Sequence, residues 1–202
     1  MSLFEVSILL ITIFLAVTIV WTTMRVGISP MPSSAHAYQA MLKLTEDTGK
    51  GPIYDLGSGW GTLVIRMAIK FPKRQVVGYE LSLLPYLVSL SVKRLMKLEN
   101  LNLYRKDFMK ADLSAASVLV CYLYPGAMSE LDHLIEERTQ QTTPPSSVNR
   151  HDLKHQRCKP DFVISNNFAL PSRVPESLIR LDDIYRSPVY RYDLSLPVKH
   201  TD

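Results

Sequence analysis

Residues 54–61 read Tyr54-Asp55-Leu56-Gly57-Ser58-Gly59-Trp60-Gly61, and nineteen residues after the last glycine a short apolar run, Val76-Val77-Gly78-Tyr79, ends in Glu80. Pro52-Ile53-Tyr54 is apolar enough to be a strand. The glycines after it permit a tight turn with close approach of backbone to a ligand. Beyond the turn, Val64, Met67, Ala68 and Phe71 recur at i, i+3, i+4 and i+7, the spacing of one helix face. A strand, a glycine turn opening a helix and a second strand tipped by a carboxylate make a nucleoside-binding half-site.

Two ligands compete for such a turn. A dinucleotide site needs G-x-G-x-x-G so that a pyrophosphate can rest on the helix N-terminus. In this chain the third glycine comes one position early, and Asp55 closes the strand just before the turn. A carboxylate there repels a pyrophosphate but suits the cationic amino-acid and sulfonium end of S-adenosylmethionine. Glu80, an acceptor-only group with two oxygens, suits the two ribose hydroxyls. The cofactor-binding candidates are therefore Asp55, Gly57, Ser58, Gly59, Trp60, Gly61 and Glu80, with the methyl donor favoured over NAD.

The N-terminus carries the second strong signal. From Val6 to Met24 there are nineteen uncharged residues between Glu5 and Arg25, enough for a helix across a bilayer core of roughly 30 Å. A signal peptide is the rival, with Ala35-His36-Ala37 imitating a cleavage site. The segment lacks a basic leader, however, and that site lies too far downstream. A retained single-pass anchor is expected, with Trp21 near its inner end. Arg25, Lys43 and Lys50 on its C-terminal side place the globular part on the cytoplasmic or topologically equivalent side. The expected organisation is anchor and link over residues 1–28 and one catalytic domain over 29–202. The link from Val26 to Ser34 spans at most about 30 Å when extended, so the domain works close to the membrane surface.

Composition excludes several other classes. The net charge of +4 is mild and its cations are scattered, so nucleic-acid binding is not expected. Two cysteines, Cys121 in an apolar run and Cys158 in a polar loop, form neither a disulfide framework nor a metal motif. His151 and His155 share i, i+4 spacing but sit in a polar, proline-flanked loop, and no metal site is expected.

The remaining pattern is β-α repeated, then a hairpin. Ser33 or Ser34 caps a helix running to about Asp47, and Leu83 to Leu98 forms another, with Pro85 in its first turn. Asn102 to Lys106 is a short strand followed by Asp107 and Phe108, which suit an adenine amino group and ring. Ser117 to Leu123 reads as a central parallel strand. It leads to Tyr124-Pro125-Gly126 at the carboxyl edge, where open α/β sheets bind ligands. Tyr122, Tyr124 and Pro125 are the acceptor-pocket candidates. A helix over Ala127–Glu137, a polar loop from Arg138 to Pro160 and a strand over Asp161–Ser165 follow. Ser177–Tyr185 and Val189–Leu194 then pair as a closing hairpin.

Asp55-Leu56-Gly57-Ser58-Gly59, Gly78-Tyr79-Glu80-Leu81, Tyr104-Arg105-Lys106-Asp107 and the anchor followed by Pro30-Met31-Pro32-Ser33-Ser34 together resemble class I methyltransferases. More narrowly, the chain resembles the single-pass membrane lysine methyltransferases of the adenine nucleotide translocase and ATP synthase c-subunit type, along nearly its whole length. The resemblance implies a Rossmann-like, seven-stranded, mostly parallel α/β sheet with helices on both faces, preceded by one transmembrane helix. It also implies S-adenosylmethionine as donor, contacted by Asp55, the Gly57–Gly61 turn, Glu80 and Asp107, and a membrane-protein lysine as acceptor. The chain departs from that family in having Trp60 and Gly61-Thr62 after the second glycine, and in a longer, more polar loop over Arg138–Pro160. A lipid, quinone or other membrane-derived molecule is the alternative acceptor, and a catalytically silent membrane scaffold is the reading outside the enzyme class.

Overall fold

A computed structural model describes residues 2–10, 12, 13, 17, 34–141, 160–183 and 185–196, with side chains given to residue 138 in the long central segment. The chain divides into two compact units, Met1–Pro32 and Ser33–Asp202. In the first, residues 3–10 are helical (α1), and every described residue of the unit is exposed. Among the described residues no helix is long and apolar enough to cross a membrane. Most of the stretch from Val6 to Met24 lies outside them, as do Cys158, His151 and His155.

The second unit is built on a seven-stranded sheet: β1 (Ile53–Leu56), β2 (Val76–Tyr79), β3 (Leu101–Tyr104), β4 (Val118–Cys121), β5 (Phe162–Asn166), β6 (Ser177–Arg180) and β7 (Pro188–Asp193), ordered β3-β2-β1-β4-β5-β7-β6. The first five strands are parallel, and β7 runs antiparallel to both β5 and β6. Strands β1, β2 and β4 are buried throughout, which is why they read as continuous apolar runs rather than alternating ones.

Helices α2 (Ala35–Glu46), α3 (Thr62–Lys70), α4 (Leu83–Leu95) and α5 (Pro125–Gln141) cover the two faces. Met41, Leu44, Val64 and Met67 pack on Ile53, Val76, Val118 and Ile164 in one core. On the other face, Met128, Leu131 and Ile135 pack on Leu56, Leu119, Cys121 and Val163. The expected Ser34 cap is present, its Oγ accepting from the Ala37 N–H at 3.2 Å.

Strands β3 and β4 each end two residues earlier than the sequence reading, and three further boundaries differ from it. Helix α5 starts at Pro125 and continues to Gln141, so it takes in Pro125-Gly126 and the first residues of the expected loop. Proline fits a first helical position because its missing N–H would have no intrahelical partner there. Helix α4 stops at Leu95, and Lys97 adopts a positive φ of 53°. Strand β6 covers Ser177–Arg180 only, because Leu181 N–H bonds back to Ser187 O and the chain turns there.

The amino-terminal edge of the sheet is gathered by one buried cation. Arg74 donates from Nε to Gly51 O, from Nη1 to Thr45 O and Thr48 Oγ1, and from Nη2 to Ser117 Oγ. It thereby ties the end of α2 to the entrances of β1 and β4. Burial pushes its guanidinium pKa below the ordinary value, and oxygens take the place of a carboxylate partner. Asn100 Nδ2 closes the end of α3 in the same way, donating to Ala68 O, Phe71 O and Arg74 O.

Candidate active site at the carboxyl edge

The strand order reverses between β1 and β4, so the loops leaving those strands flank the crevice where open α/β sheets take ligands. The loop from Gly57 to Gly61 leaves β1, and Tyr122 to Tyr124 leave β4 beside it. A Cβ on Gly57 would lie 3.3 Å from Leu123 Cδ2.

All three loop glycines have positive φ, 78° at Gly57, 54° at Gly59 and 81° at Gly61. They differ in what surrounds them. A Cβ on Gly61 would meet Ser89 Oγ at 2.6 Å and Ser89 Cβ at 2.8 Å, so α3 and α4 close there only around a bare backbone. A Cβ on Gly59 would meet nothing within 4 Å, which leaves that backbone open to a ligand. The Gly57 and Ser58 amides both donate to Tyr79 O, at 3.0 and 2.8 Å.

Glu80 completes the loop. Its Oε2 accepts from Gly59 N–H at 2.8 Å and its Oε1 from Ser82 N–H at 2.7 Å. The carboxylate spans from the tip of β2 to the glycine turn, which explains the spacing seen in the sequence. Each oxygen keeps a further lone-pair direction for a ribose hydroxyl.

Asp55 is buried at the end of β1. Its carboxyl faces the first turn of α3, where the Val64 N–H holds its pKa down, but burial and the nearby Glu80 carboxylate win and push it up to about 8. The Asp55 Oδ2 atom has no hydrogen-bond partner, and neither has the buried Ser58 Oγ. Helix α3 has Gly61 at its N-cap and no side-chain cap. Two orphaned buried polar atoms, an open glycine and an uncapped helix start thus lie around one turn.

The other expected residues fall nearby. Asp107 follows β3 and caps the 3-10 turn Phe108–Lys110, its Oδ1 accepting from Met109 N–H at 3.0 Å. Phe108 is half-buried against the α5-side core. Trp60 is half-buried on the loop. Tyr122 stacks on Phe168, centroids 6.3 Å apart and planes 14° from parallel. Tyr124 lies over Gly126, whose Cβ would fall 2.7 Å from the Tyr124 ring. Pro125 is exposed at the start of α5. Cys121 is buried, with burial pushing its thiol pKa upward, so it packs rather than reacts.

Sequence reasoning missed three supporting residues. Ser89 holds Gly59 O at 3.1 Å and fits against Gly61, yet in sequence it resembles Ser91, whose hydroxyl bonds only its own helix. Gly78 admits Ser58, since its Cβ would lie 3.1 Å from Ser58 Oγ and 2.8 Å from Leu103 Cδ2. Phe168 follows β5 by way of Asn167, whose φ is 71°. Among the described residues no group of His, Cys, Asp or Glu side chains forms a metal site.

Sheet order, glycine turn and paired acid define the class: a class I S-adenosylmethionine-dependent methyltransferase domain. Residues 55–148, just under half of the chain, match the family model described as the ANTKMT methyltransferase domain. No curated protein matches the chain in sequence. Among solved structures, the chain is similar to an RNA methyltransferase from Salinibacter ruber in complex with S-adenosyl-L-homocysteine. The TM-score is 0.65 at 23% identity, covering 85% of this chain and 98% of that one. It is also similar to the tRNA methyltransferase TrmK of B. subtilis, with a TM-score of 0.55 at 12% identity over 80% of this chain and 66% of that one. TrmN from Thermus thermophilus gives 0.55 at 15% identity, over 77% and 47%. Likeness at these identities establishes the fold. The cofactor is S-adenosylmethionine, and the residues present fit it: Asp55 Oδ2 offers an acceptor to an ammonium, Glu80 to ribose hydroxyls, and Gly59 an open backbone.

Proposed function

We propose that this chain is a protein-lysine N-methyltransferase that acts on a membrane protein beside the bilayer in which its own N-terminal helix is anchored. The observation that carries the proposal is the pairing of a donor half-site at the carboxyl edge with an N-terminal helix whose described apolar side chains are all exposed. Leu3, Phe4, Ile8, Leu9, Leu10, Ile13 and Val17 face outward, Leu3 at 90%. Its hydroxyls turn inward on the helix, Ser7 Oγ to Leu3 O and Thr12 Oγ1 to Ile8 O, both at 2.8 Å. Exposed apolar side chains on a helix whose hydroxyls bond its own carbonyls suit hydrocarbon. The match to the ANTKMT methyltransferase domain supports a lysine acceptor.

When bound, the cofactor supplies an already activated methyl group, so the protein's task is alignment and exclusion of water. Glu80, pinned to the glycine turn, fixes the ribose end. Asp55 holds the cationic amino-acid end. Tyr122, stacked on Phe168, and Tyr124 form the wall on the acceptor side of the switch point, where an aromatic face attracts an approaching ammonium. A lysine amine must lose its proton before attack, and an apolar aromatic pocket lowers its pKa.

Two experiments test the reading. Mass spectrometry of membrane proteins from cells with and without the chain should find a lysine whose methylation depends on it. Membranes incubated with radiolabelled donor should carry label on protein, and label found only in the organic extract would replace the lysine with a lipid or quinone acceptor.

A further inference from the structure

We propose that the outer face of α4 lies on an anionic bilayer surface and sets the orientation of the catalytic unit. This rests on the membrane reading above. Helix α4 is the most apolar helix of the second unit, yet it buries little: only Pro85 and Ser89 are fully covered. Leu83, Leu87, Val88 and Leu95 project on one side at 45%, 44%, 37% and 83% exposure, with Leu81 and Met96 exposed at its ends. A contiguous exposed apolar face on a soluble fold marks an interaction surface.

The charges around it select the occupant. Residues 81–106 contain Lys93, Arg94, Lys97, Arg105 and Lys106 against a single acid, Glu99. None of the five cations forms an ion pair among the described residues. Because α4 links parallel strands β2 and β3, it runs antiparallel to them. Lys93, Arg94 and Lys97 therefore sit at its amino-edge end, and Arg105 and Lys106, which follow β3, at the carboxyl edge. An apolar stripe with cations at both ends is the pattern of a helix lying in a lipid interface, apolar side down and basic residues among anionic headgroups. A protein partner would need acids at both ends and an apolar centre, whereas a bilayer with anionic lipid offers both everywhere. The middle of α4 adjoins the glycine turn through Ser89 Oγ on Gly59 O, and its N-cap residue Ser82 donates to the Glu80 carboxylate. Seating this face on the membrane holds the donor site at a fixed distance from it.

The test uses the full chain with Cys158→Ser, reconstituted in phosphatidylcholine vesicles with or without phosphatidylserine. An environment-sensitive dye is placed in turn at Leu87→Cys (α4), Ile13→Cys (α1) and Leu178→Cys on the far sheet edge, and is challenged with lipids brominated in the acyl chains. The expected result is quenching at 87 and 13 but not at 178. Quenching at 87 should rise with phosphatidylserine and fall in salt, and Arg94→Glu with Arg105→Glu should remove it while leaving 13 quenched. Each headgroup-facing cation near an anionic surface is worth about a fivefold change in local binding. Quenching at 13 alone overturns the docking and leaves the anchor, whereas quenching at neither overturns both. Protection of 87 from aqueous iodide that grows with protein concentration, without lipid quenching, assigns the face to a second copy and also overturns the docking.

Discussion

Asp55 makes the sharpest prediction because its carboxyl is buried and its Oδ2 has no hydrogen-bond partner. Burial and Glu80 raise its pKa to about 8, so at pH 7 roughly nine in ten ligand-free molecules carry the proton there. An ammonium placed against Oδ2 favours the ionised form, and donor binding should then release up to about 0.9 proton at pH 7, about half a proton at pH 8 and little above pH 9. Calorimetric titration of S-adenosylmethionine in buffers of different ionisation enthalpy reads that number directly. Asp55→Asn supplies the control, because protons taken up or released by the ligand itself remain while the Asp55 contribution vanishes. The variant should also bind roughly 10- to 100-fold more weakly through loss of a charge-assisted contact. The same group gives a stability signature. Its folded pKa lies above the unfolded value near 3.8, so its stabilising contribution is complete below about pH 4 and is lost as pH rises toward 8. The loss has an upper bound of roughly 5–6 kcal/mol. Urea denaturation should show wild type losing stability relative to Asp55→Asn across that window. Equal proton release by the two proteins, or parallel stability curves, would refute the assignment.

Three further perturbations test the frame around that acid. Glu80→Ala should weaken donor binding by at least roughly 1–3 kcal/mol, because it orphans the Gly59 amide as well as a ribose contact; unchanged affinity by titration would count against the ribose role. Gly61→Ala combines a φ of 81° with a Cβ 2.6 Å from Ser89 Oγ, so denaturation should show a loss of about 2–4 kcal/mol. Adding Ser89→Gly should recover the steric part of that loss but not the conformational part. Arg74→Met removes the guanidinium donor from Gly51 O, Thr48 Oγ1 and Ser117 Oγ, and one of several donors from Thr45 O. It should cost about 2–4 kcal/mol in stability with donor affinity per folded molecule unchanged.

The strand–turn–strand geometry proposed to hold the donor was legible in the chain because its determinants are local. A strand, three glycines at fixed offsets and an acid one βαβ unit away must meet if the strands are parallel neighbours, and β1 and β2 are. The start of α5 was not legible, because Pro125-Gly126 has the composition of a turn. Only the Tyr124 ring lying against Gly126 shows why a glycine serves inside that helix. The insertion of β7 between β5 and β6 is a choice of pairing partner, made by burial of Val189 and Tyr192 against the rest of the sheet rather than by any local signal. Arg74 likewise looked like one more surface cation until the fold brought four acceptors around it.

The acceptor side follows a different logic from the donor side. The proposed donor contacts of Asp55, Gly59 and Glu80 are positioned by backbone: glycine φ angles, strand register and amides that hold Glu80. The proposed acceptor wall is set by side chains, Tyr122 on Phe168 and Tyr124 on Gly126, carried by loops after β4 and β5 whose positions depend on a second layer of contacts. Asp132 supplies much of that layer. From α5 its Oδ2 accepts from Ser172 N–H at 2.7 Å and its Oδ1 pairs with Arg173 Nε at 3.2 Å, while Tyr192 Oη accepts from Leu170 N–H. These bonds fasten the segment just beyond Phe168 to α5 and β7. Substitutions in this layer change the shape of the wall without touching the turn that holds the donor. On this physical reading donor binding resists change, and acceptor choice is the property a few side-chain substitutions can move.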